Sequence, residues 1–420
     1  MTPSDAIPIV TNFWDAADRA PLGHKEPLSR LRELILSTQE PATCSRRCTF
    51  LGTYHGGALA DVRRLAYALM YAITNNCALV SDWPKYQRTL NSSATMTTSP
   101  ELRQRCIETA RKGINCYFLP VTTCSQTKGP ARRTQDHGFS IGNAFHLDEY
   151  LDRVQRLTGL RSEALVMGTL VAWVMRPQPE LREAILLYGS HAGFATPGIR
   201  HRRVGMHVRK GDKHSLYAKH MRDHSWRVSA ESFNAWGRRV AADIGADRVL
   251  YMTDDTSVMN VLNASGGYDG LFSLVPAPRD CLPSYTAGIF GKPRVPAASS
   301  LSKLHQPRGV KMSTVYANGA SAACGPRYLI DDGIQLFAGV ALLAQCTAFV
   351  GTQISNVAGV VVELMSTLRH PPVAFDVLND VHRACLSDER VWFGGTHAHR
   401  RDLRDDRLAL ADGNHSHGEC

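Results

Sequence analysis

Apolar residues recur at helical spacing from Leu28 to Thr38, where Leu28, Leu31, Leu34 and Ile35 fall on one face. A longer apolar helical pattern runs over 58–75, after Gly52-Thr-Tyr-His-Gly56-Gly57. Cys77–Ser81 is short and apolar enough for a buried strand. Two more helical patterns cover 147–157 and 161–175 and end at Arg176-Pro177-Gln178-Pro179. From Arg203 the pattern changes. Short apolar strands at Val204–Val208, Arg248–Thr253 and Ala348–Val350 alternate with helices at 229–244, 336–345 and 355–367. Polar or proline-rich stretches at 91–100, 125–143 and 276–327 read as loops. Strands alternating with helices predict an α/β chain with a parallel sheet.

Each of the three later strands ends in polar residues. Val204–Val208 runs into Arg209-Lys210-Gly211-Asp212-Lys213, Arg248–Thr253 into Asp254-Asp255, and Ala348–Val350 into Gly351-Thr352-Gln353-Ile354-Ser355-Asn356. Ligands of open parallel sheets bind beyond the carboxyl ends of the strands, so the three clusters are expected to open onto one crevice. His207 and Arg209 share a strand face by alternation. A guanidinium suits a diphosphate, and the adjacent glycine admits close backbone approach. The same residues also fit a solvated strand end. The Asp pair fits a divalent metal, a hydroxyl-bearing ligand or a helix cap. The Ser355 segment fits an anion seat at a helix start or an ordinary cap. Phosphate-loop, dinucleotide, zinc-protease and nucleophile-elbow motifs are absent.

Composition narrows the class further. The chain has 420 residues, 44% hydrophobic and 20% charged, which excludes a largely disordered chain or a rod. No apolar run reaches the roughly 18 residues of a membrane-spanning helix. The first residues carry acid and prolines in place of a basic lead and an apolar run, and do not read as a signal peptide. The formal charge of +10 favours anionic partners, but no run of like charge or basic aromatic patch points to nucleic acid. Eleven cysteines without a CxxC pair fit a few disulfides and some free core thiols better than a zinc site.

The series Val204-Gly-Met-His-Val-Arg209-Lys-Gly-Asp-Lys213, Val249-Leu-Tyr-Met-Thr-Asp254-Asp255, Phe349-Val-Gly-Thr-Gln-Ile-Ser355-Asn-Val and Glu363-Leu-Met resembles the three motifs of the α1,6-fucosyltransferase family. Trp173–Leu181, Trp392–His399 and Tyr54–Trp83 are similar to flanking segments of that family, so the resemblance covers about 44–400. It implies a GT-B-like glycosyltransferase fold with two Rossmann-type domains and the nucleotide site in the C-terminal one. The expected divisions are an extension over 1–43, an N-terminal α/β domain over 44–200, a nucleotide-sugar domain over 201–375 and a return segment over 376–420. It implies transfer of fucose, with inversion and without a metal, from GDP-fucose to the 6-hydroxyl of an N-acetylglucosamine residue of a glycan or glycoprotein acceptor. A Golgi or secretory lumen is implied as the compartment.

By the same resemblance Arg209, Lys213 and Asp212 are the catalytic candidates, with Arg209 on the diphosphate. His207, Asp254, Asp255, Ser355 and Tyr86 join Arg209 as donor-binding candidates. Cys44 and Cys106 match a family pair and are expected to bridge. The chain also departs from the family pattern. No acid follows Lys213 at once, which leaves Asp223 or Glu231 as substitutes for the base. Gly339 stands where an acid reads guanine, and Gly359 where an Arg follows the third motif. These departures keep open an alternative, a catalytically impaired relative that binds a glycan or a nucleotide.

Overall fold

The computed structural model describes residues 9–16, 24–50, 58–81, 99–109, 111, 113–124, 147–194, 202–208, 229–253, 258, 261–262, 272–274, 331–352, 355–369, 372 and 374–376. The predicted loops at 125–143 and 276–327, and most of that at 91–100, lie outside them.

The N-terminal half contains helices α1 (Phe13–Ala16), α2 (Lys25–Gln39) and α3 (Ala58–Thr74), with strands β1 (Arg47–Phe50) and β2 (Ala78–Ser81). It continues with α4 (Pro100–Glu108), a 3₁₀ turn at Gly113–Cys116, α5 (Leu147–Thr158), α6 (Glu163–Val174) and α7 (Pro179–His191). β1 and β2 pair in parallel around α3, a right-sized βαβ unit. The second half runs β3 (Arg203–Val208), α8 (Ala230–Ile244), β4 (Arg248–Thr253), β5 (Phe272–Leu274), α9 (Asp332–Ala344), β6 (Ala348–Gly351), α10 (Asn356–Leu368) and β7 (Ala374–Asp376). Its five strands form one parallel sheet in the order β5-β4-β3-β6-β7. The chain builds outward from β3 in one direction, then returns to its other side. That reversal is the doubly wound switch.

Helix starts follow local chemistry. Ser99, Ser162 and Ser229 accept a backbone N–H at the starts of α4, α6 and α8. Pro179 opens α7, where its missing N–H costs nothing and its fixed φ suits the first turn. α8 closes on Gly245 at φ 61°, a left-handed cap that suits glycine.

Strand alternation sends two sets of side chains to opposite faces. Val204, Met206, Val208, Val249, Tyr251, Ala348 and Val350 pack with α8 residues such as Phe233 and Val240. Leu250, Met252 and Phe349 face the other way and join a larger core with α9, α10 and the N-terminal helices. α6 is buried on every side, as its unbroken apolar sequence requires.

The tightest junction joins α6 to α10. A Cβ at Gly168 would overlap the Glu363 carbonyl oxygen and Ser366 Oγ and would lie 3.1 Å from Thr367 Cγ2. Ser366 Oγ donates to the Ala164 carbonyl at 2.8 Å across the same contact. Beside it, Arg63 Nε of α3 donates to Glu363 Oε1 of α10 at 2.9 Å, with Glu363 fully buried. Burial disfavours the Arg63 charge, but the Glu363 carboxylate more than offsets this and holds the guanidinium above its ordinary value. Burial also raises the Glu363 carboxyl, against the pull of Arg63.

Two other braces cross the chain. Asp331, fully buried, caps α9 by accepting from Gly333 and Ile334 N–H, and also accepts from Tyr117 Oη at 3.0 Å and Ser99 N–H at 2.9 Å. Burial raises its carboxyl and those four donors oppose the rise. In the Arg176-Pro-Gln178-Pro stretch, Arg176 lies 3.3 Å over the Trp173 ring, pairs with Glu40 and donates to the Pro120 carbonyl. Gln178 Nε2 donates to the Asn115 and Phe118 carbonyls.

The described disulfides join Cys44 to Cys124, Cys48 to Cys77 and Cys106 to Cys116. The expected Cys44–Cys106 bridge is therefore replaced. Thr122 Oγ1 and Thr123 N–H both donate to the Gln39 carbonyl, which carries Cys124 to Cys44 with their Cα atoms 5.6 Å apart. Cys106 reaches Cys116 over the turn that follows α4, with 5.5 Å between Cα atoms. Cys346 stays a free, buried thiol, pushed up to about 12 by burial.

The Gly168→Ala variant tests the helix junction. Alanine favours a helix by about 1 kcal/mol over glycine. The overlap with backbone and hydroxyl oxygens outweighs this, so urea unfolding of the variant should show a net loss of about 2–3 kcal/mol. A variant as stable as the parent would mean that α6 and α10 do not touch at this point.

Candidate functional site

The carboxyl ends of β3 and β4 are level. His207 pairs with Met252 and Val208 with Thr253. β6 lies on the other side of β3, with Met206 opposite Val350. The three strand ends predicted to share a crevice thus stand side by side on one edge of the sheet. The switch between the two directions of winding falls between β3 and β6.

His207 occupies this switch. It is buried, at 3% exposure, and belongs to the strand face that turns toward α9 and α10. Ser355 begins α10 and is equally buried, but its hydroxyl makes no capping hydrogen bond to the helix. Its Oγ instead stands 3.4 Å from His207 Nδ1, with the donor set by the histidine tautomer. The first N–H groups of α10 have no acceptor within the helix and carry its positive end. Gly359 N–H is the first to turn back, onto the Ser355 carbonyl at 2.9 Å.

Thr352 completes the described part of the crevice. It follows the last residue of β6, and its carbonyl accepts from Ser355 N–H at 3.0 Å. The residue is 4% exposed, yet Thr352 Oγ1 has no hydrogen-bond partner among the described residues. A buried hydroxyl left unpaired costs roughly 1–3 kcal/mol, which is hard to reconcile with a purely structural role. The switch thus carries three polar groups: an imidazole, a hydroxyl in contact with it, and a second hydroxyl unpaired among the described residues. Together with the start of α10 they can receive an anionic or hydroxyl-rich ligand.

Of the sequence candidates, His207 and Ser355 are brought together. Arg209, Asp212, Lys213, Asp254, Asp255 and Tyr86 lie outside the described residues, as does Asp223. In the chain, Arg209 directly follows the last residue of β3 and Asp254 the last of β4. Glu231 is exposed in the first turn of α8. Gly339 is buried inside α9. Among the described residues, no three His, Cys, Asp or Glu side chains cluster as a metal site would require. Thr352 was recognisable only as part of a polar strand end. Its unpaired hydroxyl depends on how β6 meets α10, which no local pattern shows.

No family model and no curated protein matches the chain. Among solved structures, it is similar to a variant of Arabidopsis thaliana FUT1 in complex with GDP, at 10% identity and TM-score 0.37, over 84% of this chain and 75% of the other. It is also similar to POFUT1 in complex with GDP-fucose, at 8% identity and TM-score 0.36, over 79% of this chain and 97% of the other. At that depth of similarity the function rests on the residues themselves.

Replacing the unpaired hydroxyl gives a direct check. Thr352→Val keeps the shape and removes the unmet polar group, so the ligand-free protein should gain about 1 kcal/mol in denaturant unfolding. A loss of that size would mean that Thr352 Oγ1 is satisfied in solution.

Proposed function

We propose that the chain is a glycosyltransferase that takes fucose from GDP-fucose. One observation carries the reading: the His207–Ser355 contact at the switch point of a doubly wound parallel sheet, beside the unpaired Thr352 hydroxyl. A nucleotide diphosphate fits such a place, because the start of α10 and nearby hydroxyls receive phosphate oxygens. The motif resemblance narrows the donor to GDP-fucose. In this reading the second half of the chain is the nucleotide-binding domain of a GT-B-like pair of Rossmann-type domains. The first half, with its parallel β1–α3–β2 unit, is the other.

The chemistry follows from that placement. The acceptor hydroxyl attacks the anomeric carbon of fucose as the carbon–oxygen bond to the diphosphate breaks. GDP leaves with the bonding electron pair, the configuration inverts, and a base takes the hydroxyl proton. Negative charge grows on the departing diphosphate. Arg209 is assigned to stabilise it, with Lys213 as a second cation and Asp212 orienting the two. His207 and Ser355 hold the donor, with Asp254, Asp255 and Tyr86 assigned to the ribose, fucose and guanine side. Charge stabilisation by fixed cations needs no metal. The acceptor is taken to be the 6-hydroxyl of N-acetylglucosamine in a glycan. Three disulfides fit a secretory-pathway lumen. A second reading, a relative that binds the nucleotide without turnover, is favoured by Gly339, which offers no side chain where the resemblance puts an acid.

The test pairs binding with turnover. GDP should raise the melting temperature while UDP and ADP at equal concentration do not, since a ligand of the native state adds stability that grows with the ratio of its concentration to its Kd. Arg209→Ala should lower transfer from GDP-fucose by about 10²–10³-fold. Equal shifts with all three nucleotides would overturn the donor assignment. A GDP shift without any transfer would select the second reading.

A further inference from the structure

Positions 355, 359 and 363 lie on one face of α10, because residues four apart in a helix stack above one another. The face begins with Ser355, in contact with His207. One turn on, at Gly359, a Cβ would come 3.2 Å from both Cζ and Nη1 of Arg63. A further turn on, Glu363 accepts from Arg63 Nε at 2.9 Å. The guanidinium of α3 therefore lies along this face, filling the room that Gly359 leaves. Among the described residues, its buried Nη2 has no hydrogen-bond partner, and neither does Glu363 Oε2. The pair is thus more than a saturated structural clamp, in which each of these atoms would be matched.

The order of the charges matters. Four residues of helix span about 6 Å, so the guanidinium beside position 359 stands about one turn from Ser355, and the carboxylate bonded to it is rooted one turn further on. The positive end of the pair points the same way as the positive end of the helix, toward the start of α10. At an effective dielectric of ~20, a unit negative charge at the helix start feels the nearer cation more strongly than the carboxylate bonded to it. The surplus corresponds to about fivefold in affinity.

We propose that Arg63 is a positioning residue of the anion seat, a cation lent by the N-terminal half that runs along α10 and strengthens binding of the donor diphosphate at Ser355. Gly359 is the position that admits it. The inference rests on the donor reading above, and GDP is the diphosphate probe.

Two single variants separate a charge effect from a brace. Arg63→Met and Glu363→Gln both break the buried pair, so both should lower the melting temperature of the ligand-free protein. Their effects on GDP should be opposite. Arg63→Met should weaken GDP binding about tenfold or more, and Glu363→Gln should tighten it between two- and tenfold, read by calorimetry. Arg63→Lys, which keeps the charge, should recover most of the lost affinity. Parallel weakening in Arg63→Met and Glu363→Gln, or no change in either, would overturn the inference and leave GDP binding by the parent intact. A parent chain that does not bind GDP would overturn the donor reading first and this inference with it. Should a single variant fail to fold, the Arg63→Met/Glu363→Gln pair leaves no isolated buried charge, and its GDP affinity must still fall.

Discussion

Gly168 sets the distance between two helices that come from opposite halves of the chain. With no side chain there, α6 approaches α10 until the Glu363 carbonyl and Ser366 hydroxyl occupy the space a methyl group would need. Much else follows from this contact. One hydrophobic core runs unbroken from Phe13 and Leu31 through Val171 to Phe337 and Val361. The helix that carries Ser355 is therefore packed directly on the N-terminal half. A helix held by backbone contact cannot rotate by a fraction of a turn without clash, so the direction in which Ser355 leaves its first turn is fixed by residues 187 positions earlier in the chain. The hydrogen bond from Ser366 Oγ to the Ala164 carbonyl fixes the remaining freedom, sliding along the axis.

The sheet imposes the second constraint. All five strands are parallel, so every strand ends on the same edge, and the order places β3 between β4 and β6. The ends of these strands are brought to one edge whatever their separation in sequence. His207 and Ser355 are 148 residues apart and still meet. The cost of this arrangement is visible at Thr352. Its buried, unpaired hydroxyl loses roughly what a whole surface salt bridge could return. Such a group persists where something outside the protein completes it.

The sequence pattern foresaw the parts of this fold that depend on local periodicity. Apolar strands β3, β4 and β6 and the helical stripes of α2, α3, α5, α6, α8, α9 and α10 all appear within a few residues of where the pattern put them. It did not show α7, because Pro177 and Pro179 read as a stop, whereas Pro179 starts the next helix. It did not show β1, β5 or β7, which are three or four residues long and acquire their identity from a neighbouring strand. Cysteine pairing was illegible for a related reason. Cys124 comes beside Cys44 only because two threonines bond to Gln39, and nothing in the spacing of cysteines encodes that. At the candidate site, the meeting of His207 and Ser355 was legible from the strand ends. Arg63 was not, since a helical Arg in an amphipathic stretch looks like any solvated charge.

Gly359, taken alone, is a missing side chain. In the folded chain the same place is filled by a guanidinium that arrives from α3 and pairs with Glu363. A helix glycine in the second turn of α10 costs about 1 kcal/mol against alanine. A buried carboxylate without a cation would cost several times as much. The carboxylate therefore decides: given Glu363, a cation beside position 359 matters more than which residue supplies it. The cation beside Gly359 thus comes from a different part of the chain than the helix it lies along. Reading a site from one segment at a time misses that, because the compensating residue lies in the other half of the chain.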